Sequence, residues 1–138
     1  MTDYYARLTE LGITLPKVVP PVAAYQPAVR SGDHVYVSGQ VPMVDGKLPE
    51  TGLADDLDLA RAQELARICG LNAVKQIVKV TGFVAASAAY TDHPKVINGA
   101  SELFGEVFGD AGVHARAAVG VASLPLGSPV EVELIAAV

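Results

Sequence analysis

The sequence predicts an α+β sandwich, a mixed sheet with two helices on one face. Three observations lead there. Two segments, one following Asp55–Asp58 and one following Asp92, carry apolar residues at helical spacing. Several short segments alternate or are rich in β-branched residues. The two kinds of segment interleave in the order β-β-α-β-α-β-β.

The opening residues predict a short helix over Tyr4–Leu11, stopped at Gly12. Lys17–Pro21 reads as an extended lead-in, because each proline fixes its own φ and pushes its predecessor out of the helical region. Ala23–Arg30 and His34–Val41 read as a hairpin turning at Ser31-Gly32-Asp33, and Pro42 ends its second strand. Met43–Leu53 reads as a loop. Asp55, Asp56 and Asp58 crowd the start of the first long helix, where negative charge complements the helix dipole. Ala62, Leu65, Ala66, Cys69 and Ala73 share its apolar face, and Gly70 falls within the pattern or ends it.

Ile77–Ala86 is the third strand. Asp92-His93-Pro94 opens the second long helix, Val96, Ala100, Leu103, Phe104 and Val107 form its apolar stripe, and Gly109 stops it. Ala115–Leu124 and Val130–Val138 close the chain as strands joined by Pro125-Leu126-Gly127-Ser128-Pro129. The small apolar residues Ala117, Ala118, Val119, Val121 and Ala122 suggest a sheet covered on both faces, hence an oligomer.

The chain has 138 residues and is expected to form one domain over 1–138, with 1–21 as helix and lead-in. A hydrophobic fraction of 51% against 18% charged residues excludes a disordered chain. A net charge of −5, with no basic-aromatic stripe, speaks against a nucleic-acid partner. No apolar run approaches the ~20 residues that span a bilayer, so no membrane partner is expected. The single cysteine, Cys69, allows no internal disulfide and fits a reducing compartment, the cytoplasm.

The sequence holds no phosphate-binding loop, no dinucleotide fingerprint and no metal-ligand spacing among its three histidines, so neither cofactor nor metal is expected. Arg116 stands out because it interrupts an apolar strand. Charge buried in a sheet is expensive unless paired. It is either half of an ion pair or a carboxylate receptor, since a guanidinium holds planar anions through two parallel bonds. Glu131 is its natural acidic counterpart, with Glu133 at the same parity competing for the role. In a simple hairpin of the last two strands Arg116 faces the end of the chain, leaving Glu131 about six rungs, or roughly 20 Å, away. The two therefore meet only if a neighbouring subunit brings them together. Ser38-Gly39-Gln40 marks either a close backbone approach to a ligand or a β-bulge. Tyr25 and Asn98 are single polar residues able to reach such a cleft.

Val35–Pro42 (V-Y-V-S-G-Q-V-P), Ile97-Asn98-Gly99, Ala115-Arg116 and Leu124-Pro125 followed by V-E-V-E at 130–133 resemble the reactive intermediate deaminase (Rid) family, once called translation initiation inhibitors and perchloric-acid-soluble ribonucleases. The similarity runs from about Val19 to Val138. It implies a chorismate-mutase-like fold, a homotrimer with three clefts between subunits, and cofactor-free hydrolysis of 2-imino and 2-enamino acids to 2-keto acids and ammonia. Carried over by motif, Arg116 binds the substrate carboxylate, Glu131 positions water or shuttles a proton, and Tyr25, Ser38, Gly39 and Asn98 line the cleft. The chain departs from the family pattern in three places. Ala118 stands where the deaminase branch often has cysteine, the N-terminal lead-in is longer and points to a less characterised subgroup, and the turn at Ala73-Val74-Lys75-Gln76 is about a dozen residues shorter than usual. Two alternatives accompany the deaminase expectation: a non-catalytic module binding small carboxylates, and a ribonuclease or translation inhibitor.

Overall fold

A computed structural model describes residues 3–15, 24–70 and 76–137. The expectations for Lys17–Pro21, Ala73 and the short turn through Lys75 lie outside the described residues.

The first helix, α1 (Tyr4–Glu10), is capped by Asp3, whose carboxylate accepts from the backbone N–H of Tyr5 at 3.0 Å and of Ala6 at 3.2 Å. It docks on the end of the second long helix. The rings of Tyr4 and Phe108 meet edge to face at 4.9 Å, and Arg7 Nε donates to the Glu106 carbonyl at 3.1 Å.

Strands β1 (Ala28–Ser31) and β2 (His34–Gln40) form the expected hairpin. Gly32 turns it with φ 59°, a conformation that costs glycine little. β1 starts later than the expected Ala23, since Pro27 has no N–H to give a ladder. Residue 23 itself is not described. The Pro27 carbonyl still accepts the Ser38 N–H at 2.9 Å, which ties the segment before β1 to β2.

Of the three aspartates before the first long helix, α2 (Leu59–Gly70), only Asp58 caps it, accepting the Arg61 N–H at 2.8 Å. Asp55 and Asp56 sit one step earlier in a separate 3-10 turn, and Asp55 accepts the Ser87 N–H at 3.3 Å. The next elements are β3 (Gln76–Ala85) and α3 (His93–Phe108), and all five residues expected on the α3 stripe are buried. Asp92 precedes α3 without capping it through its side chain. Its carboxylate pairs with Lys95 at 2.9 Å instead. The two long helices touch where Gly99 meets α2. A Cβ on Gly99 would stand 1.9 Å from the Gln63 carbonyl oxygen, so only glycine allows this approach. Gln63 Nε2 donates to the Lys95 carbonyl at 2.9 Å, fastening the same crossing.

The last strands are β4 (Ala115–Val121) and β5 (Val130–Ala137). Their expected hairpin does not form. The sheet order is β1-β2-β5-β3-β4, with β5 antiparallel to both β2 and β3 and β4 parallel to β3 at the edge. The chain therefore crosses β3 between its last two strands. The burial pattern explains why β5 takes the centre. Val130, Val132, Leu134 and Ala136 are all buried against the helices, and a central position pairs both sides of so apolar a strand.

Val80, Gly82 and Val84 of β3 face the helices, together with the same parity of β5 and with Arg116, Ala118 and Gly120 of β4 by register. Among the described residues, the opposite face carries no helix. There Val29 is 53%, Tyr36 48% and Val119 43% exposed in the single chain. Of the residues expected to be covered on both sides, Ala117, Ala118 and Val121 are half-buried and Ala122 is exposed. No described helix is long and apolar enough to cross a membrane.

Candidate functional site

Arg116 lies on β4, level with Val80 of β3, and its register turns it toward α3. It is not kept dry within the sheet, as expected from its apolar neighbours. β4 is an edge strand, and the side chain is exposed. Nor does it have an acidic partner among the described residues. Both bonds it makes are to neutral oxygens on α3: Nη1 donates to Asn98 Oδ1 at 2.8 Å and to Ser101 Oγ at 3.1 Å. Of the two readings of its charge, the internal ion pair is absent within the described chain. The cation is held and oriented, and the edge formed by Nε and Nη2 makes no protein bond among the described residues.

Two residues behind Asn98 had not been singled out. Ser101 lies one helical turn beyond it, and His114 stands two positions before Arg116. Ser101 Oγ meets His114 Nε2 at 3.0 Å, and His114 Nδ1 reaches the Gly112 carbonyl. The signals were in the sequence: an i, i+3 pair on one helix and a strand parity of two. The scatter of the three histidines along the chain hid the second.

Glu131 lies elsewhere. It pairs across β5 with Phe83, which puts it on the face away from the helices, three residues along and two strands over from the level of Arg116. Strand spacings place the two Cα atoms about 14 Å apart rather than the roughly 20 Å of a hairpin. More decisively, the side chains start from opposite faces of the sheet. Within one chain they do not meet, but the obstacle is the sheet itself.

Gly39 resolves its two readings in an unexpected way. Val37 pairs with Leu134 and Gln40 with Val132, so one extra residue bulges here. The bulge also makes a close approach, though to a side chain. A Cβ on Gly39 would fall 1.8 Å from Glu131 Oε1. The glycine thus leaves the space in which the carboxyl rests. Ser38, beside it, donates its hydroxyl to the Gln26 carbonyl at 2.7 Å, holding the segment that carries Tyr25, itself 44% exposed. Glu133 occupies the same face and lines, with Tyr36, Ser38, Lys79, Thr81 and Ile135, part of a hollow of about 300 Å³. Of the two glutamates, Glu131 is the one seated against the bulge.

Burial, and after it the charge of Glu133, push the Glu131 carboxyl above its ordinary value of 4.5. A carboxyl raised by folding stabilises the fold most when protonated. That contribution is complete below 4.5 and is lost as pH rises through the raised value. Glu131→Gln is therefore expected to raise Tm relative to wild type at neutral pH, with the advantage vanishing toward pH 4, as thermal unfolding across that range will read. Gly39→Ala is expected to evict the flexible carboxyl into solvent. Carboxyl NMR should then show Glu131 titrating nearer 4.5 than in the wild type. Cys69 takes no part: it is fully enclosed in the core, and burial pushes its thiol far up.

A five-stranded mixed sheet backed on one face by two long helices, in this order, is the chorismate-mutase-like fold. Residues 16–138 match the family described as Endoribonuclease L-PSP, and the chain belongs to that family, the Rid family by its other name. It is 41% identical to Protein TCP17 of Trypanosoma cruzi over an alignment of 145 residues, covering 94% of this chain and 91% of that one. This alignment is longer than the whole chain, so the relative carries residues with no counterpart here. A protein of Dermatophagoides farinae named 2-iminobutanoate/2-iminopropanoate deaminase is 32% identical over 126 residues, 89% of this chain and 92% of that protein. Among solved structures, the Agrobacterium tumefaciens protein Atu1372, described as of unknown function, superposes with a TM-score of 0.86 at 41% identity, covering 98% of this chain and 92% of that one.

Proposed function

We propose that this protein hydrolyses small 2-imino and 2-enamino acids to 2-keto acids and ammonia, in clefts formed between the subunits of a cytoplasmic homotrimer. The observation that carries the reading is the division of the candidate residues into two sets. Arg116 and Asn98 occupy the β4 edge on the helix side. Glu131, Gly39 and Ser38 occupy the other side of the sheet around β2, and Tyr25 lies on the segment before β1 that Ser38 holds. A complete site needs the edge of one copy against the open face of the next, and both surfaces are apolar and uncovered in the single chain.

The chemistry follows from the bonds already made. With Nη1 of Arg116 engaged by Asn98 and Ser101, a substrate carboxylate docks side-on against Nε and Nη2. That places the iminium carbon next to the carboxylate within reach of the second set. Water adds to this carbon, giving up a proton to Glu131. The proton passes to the amino nitrogen, the C–N bond breaks as the new hydroxyl gives its remaining proton to Glu131, and ammonia leaves as the carbonyl forms, carrying that proton off as ammonium. An enamine first takes a proton at C3 to become the same iminium. Water and substrate balance the reaction with no oxidant or reductant. The raised carboxyl of Glu131 suits a group that must both accept and return a proton.

The similarity to the mite deaminase supports this reading. Ala118, where deaminases often have cysteine, favours a second one, capture of small carboxylates without turnover. The net charge of −5 weighs against the ribonuclease named in the family description. The test is to generate 2-aminoacrylate with a dehydratase and follow pyruvate release. Purified protein is expected to accelerate it. No acceleration overturns the deaminase, and stabilisation by pyruvate without turnover would establish the binding module.

A further inference from the structure

We propose that His114 and Ser101 are positioning residues that aim the Arg116 guanidinium at its ligand through a hydrogen-bond relay of fixed direction. This rests on the reading of Arg116 as the carboxylate receptor and adds to it two residues that touch no substrate.

The direction follows from donor and acceptor chemistry. Every polar hydrogen of a guanidinium donates, so Ser101 Oγ meets Arg116 with a lone pair. The Ser101 hydroxyl hydrogen must then point elsewhere, and His114 Nε2 stands 3.0 Å away to accept it. Nε2 accepts only if the ring hydrogen sits on Nδ1. The Gly112 carbonyl, which only accepts, faces Nδ1 and holds the hydrogen there. In this arrangement each hydrogen has an acceptor: Nδ1–H to Gly112, Ser101 O–H to Nε2, Arg116 N–H to Ser101. With the hydrogen on Nε2 instead, Gly112 would lose its donor and the Ser101 hydroxyl its acceptor. The ring is also braced from the side, edge to face against the buried Phe104 at 5.7 Å.

Asn98 alone leaves the guanidinium one neutral tether, about which it can swing. The second bond, donated to Ser101, fixes its plane and commits Nη1 to the protein. The relay thereby reserves the Nε–Nη2 edge for the ligand, and affinity for a carboxylate depends on groups that never contact it.

Pyruvate binding, measured by calorimetry on the intact oligomer, tests this. Ser101→Ala is expected to weaken binding about 5- to 10-fold, and Ser101→Thr, which keeps the hydroxyl, to restore it to within about twofold. His114→Phe keeps a ring against Phe104 and is expected to match Ser101→Ala. The double variant should be no worse than either single one, because both break the same relay. Ring nitrogen NMR of the wild type is expected to show His114 with its hydrogen on Nδ1. Either an Nε2–H tautomer, or wild-type affinity in Ser101→Ala while Arg116→Ala fails to bind, overturns the relay and leaves the receptor standing. Wild-type affinity in Arg116→Ala overturns the receptor and the relay together.

Discussion

Arg116→Ala is expected to lower kcat/KM for imine hydrolysis roughly a hundredfold or more, with little change in the stability of the fold. The loss comes from two charge-assisted bonds to the substrate carboxylate, together worth about 3 kcal/mol or more. The stability forecast comes from the place of the residue. Arg116 is exposed on an edge strand and pairs with no carboxylate among the described residues, so its removal strands no buried charge. Asn98 and Ser101 lose a donor but are only half-buried, so water can replace it. Arg116→Lys separates charge from geometry. It keeps a cation but has no planar fork to present, and is expected to recover only a small part of the lost activity. Steady-state kinetics with thermal unfolding on the same samples reads both halves. Full activity in Arg116→Ala would remove the arginine from the reaction, while an unfolded variant would show that its two neutral bonds carry structural weight.

Much of the fold was legible because the residues that form it are local and periodic. Val96, Ala100, Leu103, Phe104 and Val107 recur at helical spacing, and that alone buries them. The hairpin at Gly32-Asp33 announces itself by its turn. The placement of β5 was not legible in the same way. Nothing in Pro125–Pro129 says whether the chain turns back on β4 or crosses β3, and adjacency in sequence favoured the wrong choice. That error carried into the site. It set the distance between Arg116 and Glu131 too long and missed that a sheet stands between them. Arg116 looked buried for a separate reason, its apolar neighbours, since an apolar strand reads alike at an edge and in the centre. The two residues still do not meet within one chain, but for a different reason: β4 and β5 are not paired, and the side chains start from opposite faces of the sheet. Ser38-Gly39 shows a different limit. A glycine in a strand signals a close approach, but sequence does not say to what, and the answer, Glu131, is 92 residues away.

The division of the site predicts that two inactive variants restore each other. Arg116→Ala retains Glu131, and Glu131→Gln retains Arg116. If each cleft draws its arginine from one chain and its glutamate from the next, a mixed oligomer contains clefts in which both come from intact copies. With equal amounts and random assembly, about one cleft in four combines an arginine from the second variant with a glutamate from the first. Co-expression with two affinity tags, followed by tandem purification, discards the unmixed trimers and leaves one intact cleft in every three, so activity is expected to approach about a third of wild type, where either homogeneous variant has almost none. A cleft built within one chain predicts the opposite, because every subunit would still lack one of its two residues however the copies were mixed. The opposite-face placement of the two side chains is what makes the outcomes diverge so widely. Mixed oligomers as inactive as their parents would show that Arg116 and Glu131 do not share a cleft across an interface, and the hydrolytic assignment of Glu131 would fall with that result.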